Sequence, residues 1–145
     1  ADRPHTPRPT GHEAWIGATD GVFYSTDYDD TRGTNLFTVG VGDTESSAIP
    51  FGSRHAGHVS VSRCGRYWIA DAPGEEGIPI YAGAFGGGSR RLVISETVHD
   101  GQQWSHTHPY LTADNRWVIF TSTRCGHAQV FGARVPDEFW LSLSE

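Results

Sequence analysis

"GATDGVFYSTDYDDTRGTNLFTVGV" (17–41), "VSRCGRYWIADAPGEEGIPIYAGAF" (61–85) and "LTADNRWVIFTSTRCGHAQVFGARV" (111–135) follow one plan. Each has a tight turn, an aromatic-rich strand, a polar turn and a further strand. The turn residues Gly21, Gly65 and Asn115 are spaced by 44 and 50 residues. The strand segments are rich in β-branched and aromatic residues and are separated by Gly, Asp and Asn. A short segment before each turn, "HEAWIG", "HVSVS" or "HPYLT", supplies one more strand. Units of about 40 to 50 residues with four short strands are the signature of β-propeller blades. In that architecture the first strand of each blade is innermost and lines the central channel. No segment repeats its apolar residues at the helical period of about 3.6. The chain therefore reads as all-β, with "PDEFWLSLSE" (136–145) as one helical turn or a short strand.

The repeat begins after a Pro-rich opening, "ADRPHTPRPT", so residues 1–10 read as irregular or linker and 11–145 as blades. Glycine-rich "GAFGGGSRR" (83–91) reads as a loop near the outer strand of the second unit. Three units do not close a ring, since propellers start at about four blades. The expectation is a partial ring whose remaining blades are missing from this chain. A small sandwich of roughly nine strands is the alternative, but it leaves the repeat unexplained.

Composition narrows the function. Net charge is −6 over 145 residues, which argues against nucleic acid or an anionic membrane as the main partner. No apolar run approaches the ~18 residues of a membrane helix. All 11 basic residues are Arg, whose planar forks suit carboxylates, although codon bias is the simpler explanation. The chain opens on Ala and holds no Met, which reads as a processed or excised piece. Cys64 and Cys125 sit in "SRCG" and "TRCG". They form neither a zinc pattern nor a disulfide framework and read as reduced turn residues.

The chemistry lies in the eight histidines. His12, His58 and His108 each open the first strand of a unit. His106 precedes His108 by two, and on a strand such residues share a face. Two imidazoles can then meet one ion, with His58 arriving from the neighbouring blade and Gln103 offering an amide oxygen. Three nitrogens and one oxygen suit Mn, Fe or Zn better than Ca or Mg. Against this, H-x-H is a short motif that arises by chance, and two ordinary histidines on a polar strand face account for it equally well. His5, His55, His99 and His127 read as bystanders.

Read in order, "GHEAW", "GHVSVSRCGRYWIADA" and "QQWSHTHPYLTADNRWVIFTS" resemble the C-terminal part of oligogalacturonate lyases. These are bacterial seven-bladed propeller enzymes of pectin breakdown. The resemblance runs from Gly11 onward, and Q-x-x-H-x-H-P is its most specific part. It implies that His58, Gln103, His106 and His108 bind manganese or another divalent transition metal, and that His12 is the catalytic base. It further implies an oligogalacturonate substrate and a cytoplasmic setting. One departure stands out. "HEAWIGATDG" holds two more residues between His12 and its turn glycine than the other units do, which puts the register of His12 in question. An arginine that the family uses near substrate is expected upstream of His12, beyond this chain.

The implied reaction is β-elimination on a uronate. A base removes the C5 proton beside the carboxylate, and the C4–O bond breaks. A divalent cation on the carboxylate favours the doubly charged species that develops over the ground state. A neutral His suits the base near pH 7. Arg54 and Arg66 can pair with uronate carboxylates, and Trp104 can stack on a sugar. Glu13 is expected to face away from His12, and Asp71 in "WIADA" to be a buried hydrogen-bond acceptor between blades. Two other readings stay open: a propeller scaffold without chemistry, and a cupin-like metal enzyme. The cupin pattern wants a Glu that "PYLTADNRW" lacks.

Overall fold

The computed structural model of the chain describes residues 9–29, 32–93 and 97–143. His5 lies outside them. The described residues form three antiparallel sheets and one short helix. In the first sheet β1 (Pro9–Trp15), β2 (Gly21–Asp29), β3 (Thr34–Gly40) and β4 (Ser47–Ala48) lie side by side in chain order. In the second, β5 (Val59–Val61), β6 (Tyr67–Asp71), β7 (Ile80–Ala84) and β8 (Ser89–Val93) repeat the order. The third holds β9 (Tyr110–Leu111), β10 (Trp117–Ser122) and β11 (Gln129–Arg134), followed by α1 (Asp137–Leu141). The chain is all-β, with successive blades as expected. The third sheet has three strands among the described residues rather than four. Strand β1 starts at Pro9, two residues inside the segment read as irregular. The glycine-rich stretch turns the chain between β7 and β8. Cys64 and Cys125 are free and exposed. No described helix is long and apolar enough to cross a membrane.

Blades pack face to face. Phe23 and Leu36 of the first meet Trp68, Ala70 and Tyr81 of the second, with Phe51 and Ala56 between them. Ile69, Ile80 and Ala82 of the second meet Leu111, Val118 and Phe120 of the third. Strand alternation sends Trp68 and Ala70 one way and Ile69 the other. The middle blade is therefore apolar on both faces, and β6 is buried almost throughout. On β10 only alternate residues are buried. The innermost strands β1, β5 and β9 are neighbours. Hydrogen bonds knit the blades together: the Ser60 hydroxyl donates to the Pro109 carbonyl at 3.0 Å. The fully buried Asn35 donates to the Ala56 carbonyl at 2.8 Å and accepts from the Ala56 N–H at 2.9 Å.

The turns set the register between blades. The N–H of Ile16 bonds to the Gly21 carbonyl, that of Ser62 to Tyr67 and that of Thr112 to Trp117, all at 2.9 Å. Within these turns Thr19, Gly65 and Asn115 donate to Ile16, Ser62 and Thr112. Thr19, not Gly21, is thus the counterpart of Gly65 and Asn115. The blade-one turn takes its left-handed residue at Gly17 (φ 58°) instead of at the fourth position. Gly21 already belongs to strand β2. With turns matched by hydrogen bonds, His12, His58 and His108 each lie four residues before the turn begins. The two extra residues after His12 thus lie beyond the turn position and leave its register equivalent to that of His58 and His108.

Candidate metal centre

Equivalent positions, within β1 for His12 and just before β5 and β9 for His58 and His108, bring the three histidines into a row. The ring centroids of His12 and His58 lie 4.6 Å apart, and those of His58 and His108 4.1 Å apart. His106 joins from the approach to β9, 5.3 Å from His58. One ring nitrogen each from His58, His106 and His108 lies within 4.8 Å of the others. Three ligands each about 2.1 Å from one ion stand roughly 3.0–3.6 Å apart, so an ion would draw these rings closer together.

The local backbone differs from the expected strand. Gln103–Ser105 is a 3-10 turn, His106 caps its end, and β9 begins only at Tyr110. His108 takes a left-handed φ of 39°. His106 and His108 therefore do not share a face through strand alternation. The turn and the kink at His108 aim them instead, with His108 Nδ1 at 3.0 Å from the His106 carbonyl. A carbonyl only accepts, so Nδ1 carries the proton and Nε2 of His108 keeps its lone pair.

His58 is held in the same way. Its Nδ1 lies 2.8 Å from Asp71 Oδ2, and its backbone N–H donates to Asp71 Oδ1 at 2.7 Å. Asp71 is buried. It was expected to accept a hydrogen bond between blades, yet it serves His58 of its own blade. Gly57 makes room for it: a Cβ there would lie 2.6 Å from Asp71 Oδ1 and 3.0 Å from Pro73.

Two cavities flank the histidines. One of about 460 Å³ is lined by His12, His58, His106 and His108 together with Asp71, His99 and Gln103. The other, about 280 Å³, runs along the inner strands past Glu13, Ser60 and Tyr110. Gln103 thus shares a cavity with the three clustered histidines. Glu13, expected to face away from His12, lines the second cavity with it. The pairing of β1 with β2 is irregular between Pro9 and Glu13, and such a bulge breaks simple alternation. His99 was read as a bystander but stands 4.8 Å from the His106 ring. Its Nδ1 accepts the Gly101 N–H at 3.0 Å. No spacing rule links residues 99 and 106, because they meet across an irregular loop.

Trp104 is exposed and lines neither cavity. Arg54 also lies outside both linings. It pairs with Glu75 at 3.3 Å and covers the Tyr81 ring at 4.9 Å. Burial, then the neighbouring His58, lowers the pKa of His12 below the ordinary imidazole value, and the same two causes lower that of His108.

No family model matches the chain. It is 40% identical over 45 residues to an oligogalacturonide lyase of Pectobacterium atrosepticum, a match covering 31% of this chain and 12% of that protein. Among solved structures, an oligogalacturonate lyase in complex with manganese superposes with a TM-score of 0.68 at 20% identity. That match covers 89% of this chain and 36% of the other. TolB from Acinetobacter baumannii gives 0.65 at 18% identity, over 87% of this chain and 30% of the other. The chain thus spans well under half the length of these three relatives, and it resembles the oligogalacturonate lyases in sequence over a 45-residue stretch and in fold over most of its length.

Proposed function

We propose that the chain carries the metal centre and base of an oligogalacturonate lyase, which cleaves its substrate by β-elimination. The observation that carries this reading is the convergence of His58, His106 and His108. Fold similarity does not choose it, because TolB is matched almost equally well. The donor set suits a borderline divalent ion such as manganese, with Gln103 offering an amide oxygen from the same cavity. Bound there, such an ion supplies a Lewis acid for the uronate carboxylate, whose charge grows as C5 is deprotonated.

The residues of the chain divide the remaining work. His58, His106 and His108 hold the ion by ring nitrogens. His12 takes the C5 proton; its lowered pKa keeps it unprotonated, and so free to accept a proton, near pH 7. The C5 electron pair then forms the C4=C5 bond as the C4–O bond breaks. Trp104 offers an exposed indole face beside Gln103 for a sugar ring. Arg54, whose Nε already pairs with Glu75, keeps further N–H donors for a uronate carboxylate.

Calorimetric titration of the metal-free chain with Mn²⁺ tests the centre. One ion per chain is expected above pH 7, with His106→Ala abolishing binding. Incubation with short oligogalacturonates and Mn²⁺ then reports the absorbance of the new C4=C5 bond. A chain that takes up no Mn²⁺, or a His106→Ala variant that binds as well as the parent, rejects the assignment and leaves a propeller scaffold.

A further inference from the structure

The structure assigns Asp71 as a positioning residue that selects the tautomer of His58, so that its metal-facing nitrogen carries a lone pair. The inference rests on the metal reading proposed above and adds a residue to it. An ionised carboxylate can only accept hydrogen bonds. Asp71 Oδ1 takes the His58 backbone N–H at 2.7 Å, and Oδ2 faces His58 Nδ1 at 2.8 Å. The neutral imidazole has one ring proton, and this contact holds it at Nδ1. Nε2 is then unprotonated before any ion arrives.

Burial makes the arrangement rigid. Asp71 is 1% exposed at the end of β6. Its backbone carbonyl accepts from the Gly57 N–H at 2.9 Å, and its N–H donates to the His58 carbonyl at 3.2 Å. The carboxylate and the imidazole are thus tied through both main chain and side chain.

Asp71→Asn makes a sharp test because the amide has little choice. Its oxygen must take the His58 backbone N–H, or two donors would face each other. The NH₂ group then points at His58 Nδ1 and requires a lone pair there. The ring proton moves to Nε2, where it blocks the metal. Shape and volume barely change, so a merely structural role for Asp71 predicts no such switch.

Two-bond ¹H–¹⁵N correlation spectra of the metal-free full chain at about pH 8, above the imidazole range, read the tautomer directly. The parent is expected to show His58 protonated at Nδ1 and Asp71→Asn to show it at Nε2. Mn²⁺ affinity should fall roughly 10- to 100-fold in the variant, with the melting temperature recorded alongside. A parent His58 protonated at Nε2 overturns the inference, and it does so even if the variant fails to fold. So does a folded variant that binds Mn²⁺ as tightly as the parent. If both tautomers are as expected but the parent binds no Mn²⁺, the metal reading fails while the hold of Asp71 on His58 stands.

Discussion

His12 and His108 enter the folded chain with pKa values below the ordinary imidazole value, through burial first and the neighbouring His58 second. Both are part-exposed, so the effect on stability is modest, but its sign is definite. The unfolded chain takes up protons on these residues at about pH 6.5, while the folded chain resists until lower pH. In that window the unfolded state holds more protons. Stability therefore falls as pH drops through about 6.5 and levels off below the lowered values. The urea midpoint of the metal-free chain is expected to drop between about pH 7.5 and about pH 5. Replacing His12 and His108 together by Gln should flatten that slope, and an unchanged slope would assign the linkage to other groups. At this scale the sequence pointed to the histidines that cluster and missed what aims them. Asp71 stood out as an acid among apolar neighbours, but nothing in its spacing ties it to His58, thirteen residues earlier and across a strand pair.

At the scale of the element, Gly83 of β7 and Gly132 of β11 both lie in the third strand of a blade, opposite Trp68 and Ile119 respectively. A Cβ at Gly83 would lie 2.3 Å from the Trp68 indole, which is almost wholly buried. At Gly132 the nearest atom is the end of Ile119 at 3.4 Å, an ordinary contact. Gly83→Ala should destabilise the chain by about 1–3 kcal/mol through overpacking. Gly132→Ala should be neutral or stabilise it by up to about 1 kcal/mol, because the unfolded chain loses freedom. Urea denaturation of the two variants separates them, and equal effects would mean that Trp68 does not lie over Gly83. The strands were legible because alternation and β-branched content act over a few residues. The exception is the stretch around His106 and His108, where H-x-H suggested a strand. The chain makes a 3-10 turn and a left-handed kink there, choices set by how loop 97–109 reaches β9.

Across the whole molecule, the histidine cluster joins two blades: His58 leads into β5, whereas His106 and His108 precede β9. An ion held by all three binds only the folded arrangement. At a hundredfold excess over its Kd it should add about 2.7 kcal/mol of stability. A raised melting temperature with Mn²⁺, reversed by a chelator and absent in His106→Ala, is the expected result. A melting temperature indifferent to Mn²⁺ would show that the rings do not close on a common ion. The apolar contacts between blades were legible as strand composition, but which face meets which neighbour was not. Trp68 and Ile69 are adjacent in sequence and serve opposite interfaces.

By itself the sequence determined the repeat, the all-β class and the histidines placed at equivalent points of three units. Those features arise from local patterning, which the chain carries wherever it folds. Only the tertiary structure decided that Thr19 rather than Gly21 marks the first turn, that Asp71 sits behind His58, and that His99 approaches His106. Each depends on hydrogen bonds or loop paths that join residues with no fixed sequence spacing. Packing of neighbouring blades, not periodicity along one strand, sets where those side chains meet.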